Sequence, residues 1–322
     1  MSGHIVVITT GGTLPMKRGP LIGGAAPSVK EADLRALLPS SGQQIVFEEF
    51  ANVPSSHLKP ALVAELARRV EARLQLPEVT GVVITHGTDT LEETAFFLDL
   101  VLTGPKPVVI TGAQRAPTTI GYDGLANLAQ AIMVAAAPAA RDLGVLVVFH
   151  EHIWAAAEVQ QVHAQSLAAF AAPATGPLGR VDHNQVWLWH RPLRRQSVPL
   201  VRVEEKVDVV VVTQGSDERM LRALAESGSR GIVLAALGGG RVPPWLLPPL
   251  QEIRARGTPV VVTSRTVGIV GDEYGYVGGF HDLQRLGCLF APNLSAPKAR
   301  IKLMLALGAA RQPSDLAQFF RD

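Results

Sequence analysis

The sequence predicts an α/β protein: a larger N-terminal domain built on a parallel sheet with helices on both faces, and a smaller C-terminal α/β domain. Three observations lead there. Apolar runs of strand type, rich in Val and Ile, alternate with helical patterns along the chain. These runs are nearly continuous rather than alternating in polarity, as expected of parallel strands covered on both faces. A polar stretch containing Pro and Arg, near Trp189 to Val203, interrupts the alternation once, after which it resumes. For 322 residues, a prior of about 150 residues per domain gives two. The expected division is residues 1–195, a linker over 196–206, and residues 207–322.

The elements follow in order. Ile5-Val6-Val7-Ile8 reads as the first strand and Gly81-Val82-Val83-Ile84 as a later one. Leu91, Thr94, Ala95, Leu98 and Val101 recur at helical spacing and predict a helix around Leu91 to Leu102. Pro107 to Ile110 reads as a strand, Gly124 to Ala137 as a helix and Gly144 to Phe149 as a strand. In the second domain, Val207 to Val212, Gly231 to Ala235 and Thr258 to Thr263 are the strands.

Composition excludes several classes. The net charge of +2 is dispersed, and the short Arg191 to Arg195 stretch reads as a solvated linker, so nucleic-acid binding has no basis. Cys288 is the only cysteine, so no internal disulfide can form and a reducing compartment is permitted. No run reaches the ~18 apolar residues of a membrane span, and no charged or long apolar leader precedes the first strand. A soluble, cytoplasmic protein is expected. His150 and His152 come nearest to a metal-ligand pair, but their place at a strand end gives no reason to expect a metal, and no cofactor is expected either.

Two segments carry chemistry. Ile8-Thr9-Thr10-Gly11-Gly12-Thr13 and Ile84-Thr85-His86-Gly87-Thr88-Asp89-Thr90-Leu91-Glu92-Glu93-Thr94 each place hydroxyls and glycine directly after a buried strand. Glycine lets the backbone turn sharply and approach a ligand, and the next helix begins with free N–H groups. In open α/β sheets, ligands bind in the crevice beyond the strand ends. Either segment alone could be a strand-to-helix turn with a Thr or Asp cap. Two of them, the second with Asp89, point to a site.

These segments resemble the two signatures of the bacterial-type L-asparaginases, homotetrameric amidohydrolases with threonine nucleophiles. The likeness continues through Val108 to Arg115, Asp123-Gly124 with Asn127-Leu128, Gly176 to Gly179, and Lys298 to Leu303, so most of the chain is covered. The resemblance implies that Thr10 is the first nucleophile, Thr88 the second threonine and an oxyanion donor through its N–H, and Asp89 the carboxylate that grips the substrate α-ammonium. A free ammonium in a closed pocket needs such a countercharge. Asn52-Val53-Pro54-Ser55-Ser56 aligns with the loop that holds the α-carboxylate. Ser55 matches its serine, and Ser56 stands where glutamine is common. On the residues alone, the same loop could be a cap before a helix starting near Lys59.

The chain departs from the family at three places. The lysine of the second catalytic triad falls on Gln161, and no lysine occurs between Lys106 and Lys206. Glutamine can bond to a threonine hydroxyl but cannot take its proton; Glu158 and His163 are the nearby groups that could. The lid after the first signature, Leu14 to Ser28, holds glycines and prolines but no tyrosine. Gly238-Gly239-Gly240-Arg241 occupies a loop where the family has an asparagine reaching into a neighbouring subunit, and Asp272 or Glu273 could supply an acidic group there.

The resemblance implies hydrolysis of L-asparagine to L-aspartate and ammonia through an acyl-threonine, in a homotetramer built as a dimer of dimers. One alternative is an impaired relative that binds an amino acid or amide without efficient turnover. Another is the amidase subunit of a tRNA-dependent amidotransferase, which shares the fold but usually carries an N-terminal docking extension.

Overall fold

The computed structural model describes residues 3–11, 44–192, 195–271 and 275–321. The chain divides into two compact units, Met1–Ser197 and Val198–Asp322.

The first unit is organised on an eight-stranded sheet. Its strands are β1 (His4–Thr9), β2 (Gln44–Glu49), β3 (Val79–Thr85), β4 (Val108–Thr111), β5 (Val145–Phe149), β6 (His152–Ala155), β9 (Gly179–Asp182) and β10 (Gln185–Leu188). The spatial order is β10-β9-β6-β5-β4-β3-β1-β2, and a separate two-stranded hairpin pairs β7 (Gln160–Gln161) with β8 (Phe170–Ala171). From β2 through β5 all pairings are parallel. β6, β9 and β10 are antiparallel, so the sheet is parallel-rich rather than wholly parallel. The parallel strands are those legible in the sequence, because burial on both faces makes them continuous Val/Ile runs. The antiparallel strands span only four residues each and mix polar with apolar residues, as in Gly179-Arg180-Val181-Asp182, and so escape a search for long apolar runs.

Helices cover both faces of the parallel part. They are α1 (Pro60–Leu74), α2 (Leu91–Val101) and α3 (Gly124–Ala136). Leu128, Ala131, Ile132 and Ala135 of α3 share a core with Ile5, Val7, Val83, Val109 and Leu146. The alternate residues Val6, Ile8, Val82, Ile84 and Ile110 are equally buried, on the opposite face by the two-residue period of a strand. α1 packs against β3, and α2 against β5. α1 starts where Lys59 is extended and Pro60 takes the first turn, a position where proline's missing N–H costs nothing. Val63, Leu66, Ala67, Val70 and Leu74 then recur on its buried side.

The second unit repeats the plan on a smaller scale. Four parallel strands, β11 (Val207–Val211), β12 (Gly231–Ala236), β13 (Val260–Ser264) and β14 (Leu289–Phe290), lie in sequence order. Helices α4 (Arg219–Glu226), α5 (Leu247–Ala255) and α6 (Phe280–Arg285) place Leu221, Leu250, Ile253 and Leu283 in a core with Ile232, Leu234, Val260 and Val262. On the other side α7 (Ala296–Ala309) packs Ala299, Leu303, Met304 and Ala306 on Val207, Val233 and Val261, and α8 (Leu316–Phe319) follows it. Among the described residues, no helix is long and apolar enough to cross a membrane.

Candidate active site

Three chain segments meet at the C-terminal ends of β1 and β3. Thr10 follows β1 directly and is almost fully buried. Its N–H and its hydroxyl both donate to the carbonyl of Thr85 on the neighbouring strand, at 3.2 and 2.9 Å. The 50–57 segment is laid alongside: Phe50 and Ala51 N–H donate to Thr9 O, and Val53 N–H to Thr10 O at 3.2 Å. Gly11 makes this possible. Its φ is +105°, and a Cβ there would lie 2.5 Å from both N and O of Val53. The chain then turns through Ser55–His57 in a single 3₁₀ turn, with Ser55 buried.

At the end of β3, His86 N–H donates to Thr111 O at 2.8 Å and so continues the β3–β4 ladder by one residue. Gly87 passes against Ser55: a Cβ at Gly87 would stand 2.7 Å from Ser55 Oγ. A 3₁₀ turn over Thr88–Thr90 leads into α2, and Thr90 Oγ1 donates to Ser55 O at 3.0 Å. Ser55 is thereby fastened beside the Gly87-Thr88-Asp89 turn. The cap positions of this turn and of α2 are Gly87 and Thr90, and neither makes a side-chain capping bond. Thr88 and Asp89 are therefore not consumed as helix caps. Thr88 is nearly buried, Asp89 is exposed, and among the described residues the Asp89 carboxylate makes no hydrogen bond or ion pair.

His86 is fully buried, and its Nδ1 lies 2.7 Å from Gly87 O. A carbonyl can only accept, so the ring donates from Nδ1. Burial pushes the His86 pKa down to about 4 from 6.5, the Gly87 bond opposing only in part. The ring is thus neutral across the physiological range. The sign of the linkage follows: between pH 6.5 and about 4 the unfolded chain binds this proton and the folded chain does not. Stability should fall as pH drops through that window, by on the order of 3 kcal/mol in all. Denaturant titrations at pH 7 and pH 4.5 measure the loss, and His86→Gln should abolish most of the difference.

A third strand end supports the other two. Asp123 accepts the N–H groups of Gln114 (3.1 Å) and Arg115 (3.0 Å), and its Oδ2 also takes Asn127 Nδ2 at 3.0 Å. Asn127 in turn donates to Gly112 O and accepts from His150 N–H. This network pins the loop after β4, and Gly112 leaves no room for a Cβ, which would come 2.4 Å from His86 O. The sequence marked Asp123 and Asn127 only as part of a family pattern. Their fastening role was missed because three of their partners are backbone N–H groups, which leave no side-chain signal in a sequence.

The groups around the missing lysine are placed as follows. Gln161 lies on β7, and its N–H donates to the carboxylate of Glu92, in the first turn of α2. That bond ties the Gln161 strand to the helix that follows Thr88 and Asp89. The Gln161 side-chain amide reaches His163 O at 3.5 Å, not Thr88. Glu158 accepts the Thr175 hydroxyl at 2.9 Å. His163 Nδ1 accepts the N–H groups of Gln165 (3.1 Å) and Ser166 (3.0 Å), the geometry of a turn cap. Ser56 is exposed on its turn. In the second unit, the Arg241 guanidinium lies 4.9 Å over the Tyr276 ring. The lid, with Thr13, and Asp272 and Glu273 lie outside the described residues.

Hydroxyls and a carboxylate are thus gathered at adjacent parallel strand ends of the first α/β unit, where open α/β sheets bind their ligands. Comparison with known proteins narrows the reading. Residues 4–194 match the family model described as asparaginase, N-terminal, and residues 206–320 match the glutaminase/asparaginase C-terminal domain. The chain is similar to the L-asparaginase of Bacillus licheniformis, 35% identical over 97% of this chain and 98% of that one. It is similar also to the probable L-asparaginase of Deinococcus radiodurans, 37% identical over 98% and 97%. The crystal structure of the probable cytoplasmic L-asparaginase from Campylobacter jejuni superposes with a TM-score of 0.87 at 31% identity, covering 99% of both chains. The chain belongs to the asparaginase family.

Proposed function

We propose that this protein hydrolyses L-asparagine to L-aspartate and ammonia with Thr10 as nucleophile. The single observation that carries the reading is the convergence of Thr10, Ser55, Thr88 and Asp89 on the ends of two neighbouring parallel strands. In this reading Thr10 Oγ attacks the side-chain amide carbon. The Thr88 N–H donates to the oxyanion, ammonia leaves, and water hydrolyses the acyl-threonine. Asp89 holds the α-ammonium, while Ser55 and the N–H groups of its loop, with Ser56 at the rim, hold the α-carboxylate. The N-terminal domain, 1–195, carries these residues; 196–206 is the linker and 207–322 the C-terminal domain. We assign the protein to the cytoplasm and to a homotetramer, a dimer of dimers, in which an acidic residue, Asp272 or Glu273, reaches into the site of the neighbouring subunit.

A structure with aspartate soaked in tests the assignment. The α-ammonium should sit on Asp89, the α-carboxylate near Ser55 and the side-chain carboxyl toward Thr10 and Thr88. Asp89→Ala should weaken aspartate binding by about 1.5–3 kcal/mol, the worth of a hydrogen bond between charged groups. Calorimetric titration showing unchanged affinity would remove Asp89 from the site.

A further inference from the structure

The eight-stranded sheet ends in two edges of opposite character. At one end β2 carries Glu48 and Glu49, and Glu48 pairs with Arg69 and Arg73 at 2.6 and 2.7 Å. Charge on an edge strand hinders pairing with another chain. At the other end β10 and the residue after it, Gln185-Val186-Trp187-Leu188-Trp189, contain no charge and no proline, and β10 pairs with β9 without a bulge. Trp187 is 52% exposed and Trp189 56%. Two of the four tryptophans in the chain therefore stand exposed on one edge, with no further strand paired to it among the described residues.

The main chain of that edge is set for pairing. Asp182 and Gln185 close a two-residue hairpin through His183 and Asn184, both at positive φ, and Trp189 N–H donates to Leu178 O at 2.8 Å. In an antiparallel ladder the hydrogen-bonded positions alternate. The polar groups of Gln185 and Trp187 therefore face β9, and those of Val186 and Leu188 point out of the sheet. The side chains of Val186 and Leu188 pack into the core shared with α3, so Trp187 and Trp189 lie on the opposite face. On that face Trp187 is in register with Arg180, and Arg180 with His152, which stacks on Trp154 at 5.3 Å. Arg180 is paired with Glu151 at 2.8 Å, so its charge on this aromatic surface is balanced.

We propose that β10 is the docking edge for a second copy of this chain, paired antiparallel about a two-fold axis through Trp187. An antiparallel strand is its own complement under a two-fold axis, which is what a symmetric interface requires. Centring on Trp187 sets Val186 opposite Leu188 of the partner subunit, where the outward N–H and C=O groups exchange hydrogen bonds. The two Trp187 side chains then meet at the position of closest approach between strands. The short strand supplies few hydrogen bonds, and the tryptophans supply the buried area; large aromatic groups dominate such contacts. This inference rests on the multimeric assembly proposed above and names one of its surfaces.

Light scattering at micromolar concentration on the wild type, Trp187→Lys and the Trp187→Lys/Trp189→Lys double variant tests it, with circular dichroism to confirm folding. A multimeric wild type whose mass falls by half or more in the variants supports the proposal. A multimer whose mass is unchanged in folded variants overturns this edge and leaves the assembly standing; a monomeric wild type overturns both. Hydrogen exchange on the wild type serves if the variants do not fold. Slow exchange at the Val186 and Leu188 amides supports the pairing, and fast exchange there in a multimer contradicts it.

Discussion

Replacing Thr10 by alanine should lower turnover of L-asparagine by about 10⁴-fold or more, the scale on which removal of a covalent nucleophile is felt. The argument depends on the substitution being local. Thr10 is fixed mainly through its backbone, its N–H on Thr85 O and its carbonyl under Val53 N–H. Alanine keeps both bonds and gives up only the hydroxyl contact to Thr85 O, worth about 1 kcal/mol. Thr10→Ser, which restores a hydroxyl, should recover much of the lost rate. Single-turnover assays beside thermal unfolding separate the two effects: a large loss of rate with a small loss of stability is the expected pair. Equal activity in Thr10→Ala and wild type would move the nucleophile elsewhere.

The second large effect is a gain. Gln161→Lys should raise turnover by about 10²-fold or more, because general-base assistance to a hydroxyl is typically worth 10²–10⁴ and glutamine offers none. Three observations favour this outcome. The bond from Gln161 N–H to Glu92 ties its strand to the first turn of the helix after Thr88. The two nearby groups that could have replaced it are otherwise engaged, Glu158 with Thr175 and His163 with its own turn. The Gln161 amide itself reaches back to His163 O. Steady-state kinetics on both proteins decide the matter. A fast wild type unimproved by the substitution would show that another group takes the proton, and removing Glu158 or His163 would then identify it.

The fold was legible where burial is uniform. Val82 to Ile84, Val145 to Phe149 and Gly231 to Ala235 are unbroken apolar runs; each lies within a strand, the last two matching it to within a residue, while the strand of the first begins three residues earlier, at Val79. The helix after the second signature begins at Leu91 itself, where the periodic residues begin. The outer strands were not legible, because β6, β9 and β10 are only four residues long and mix His, Arg, Asp, Gln and Trp with their apolar residues. At the site, the sequence marks the residue types at the strand ends but not what joins them. The clasp between Thr90 and Ser55, and the fit of Gly87 against Ser55, arise from segments brought together only by the β1–β3 pairing. The fastening of the β4 loop by Asp123 and Asn127 is hidden for the same reason.

The most direct test of the central claim is ammonia release by the purified wild-type chain, given L-asparagine, L-glutamine and D-asparagine in parallel. The proposed function predicts ammonia and L-aspartate in equal amounts from L-asparagine, at a rate that Thr10→Ala abolishes. Binding of L-asparagine with no ammonia released above the uncatalysed rate would contradict it, and would leave a protein that holds the amino acid without turning it over.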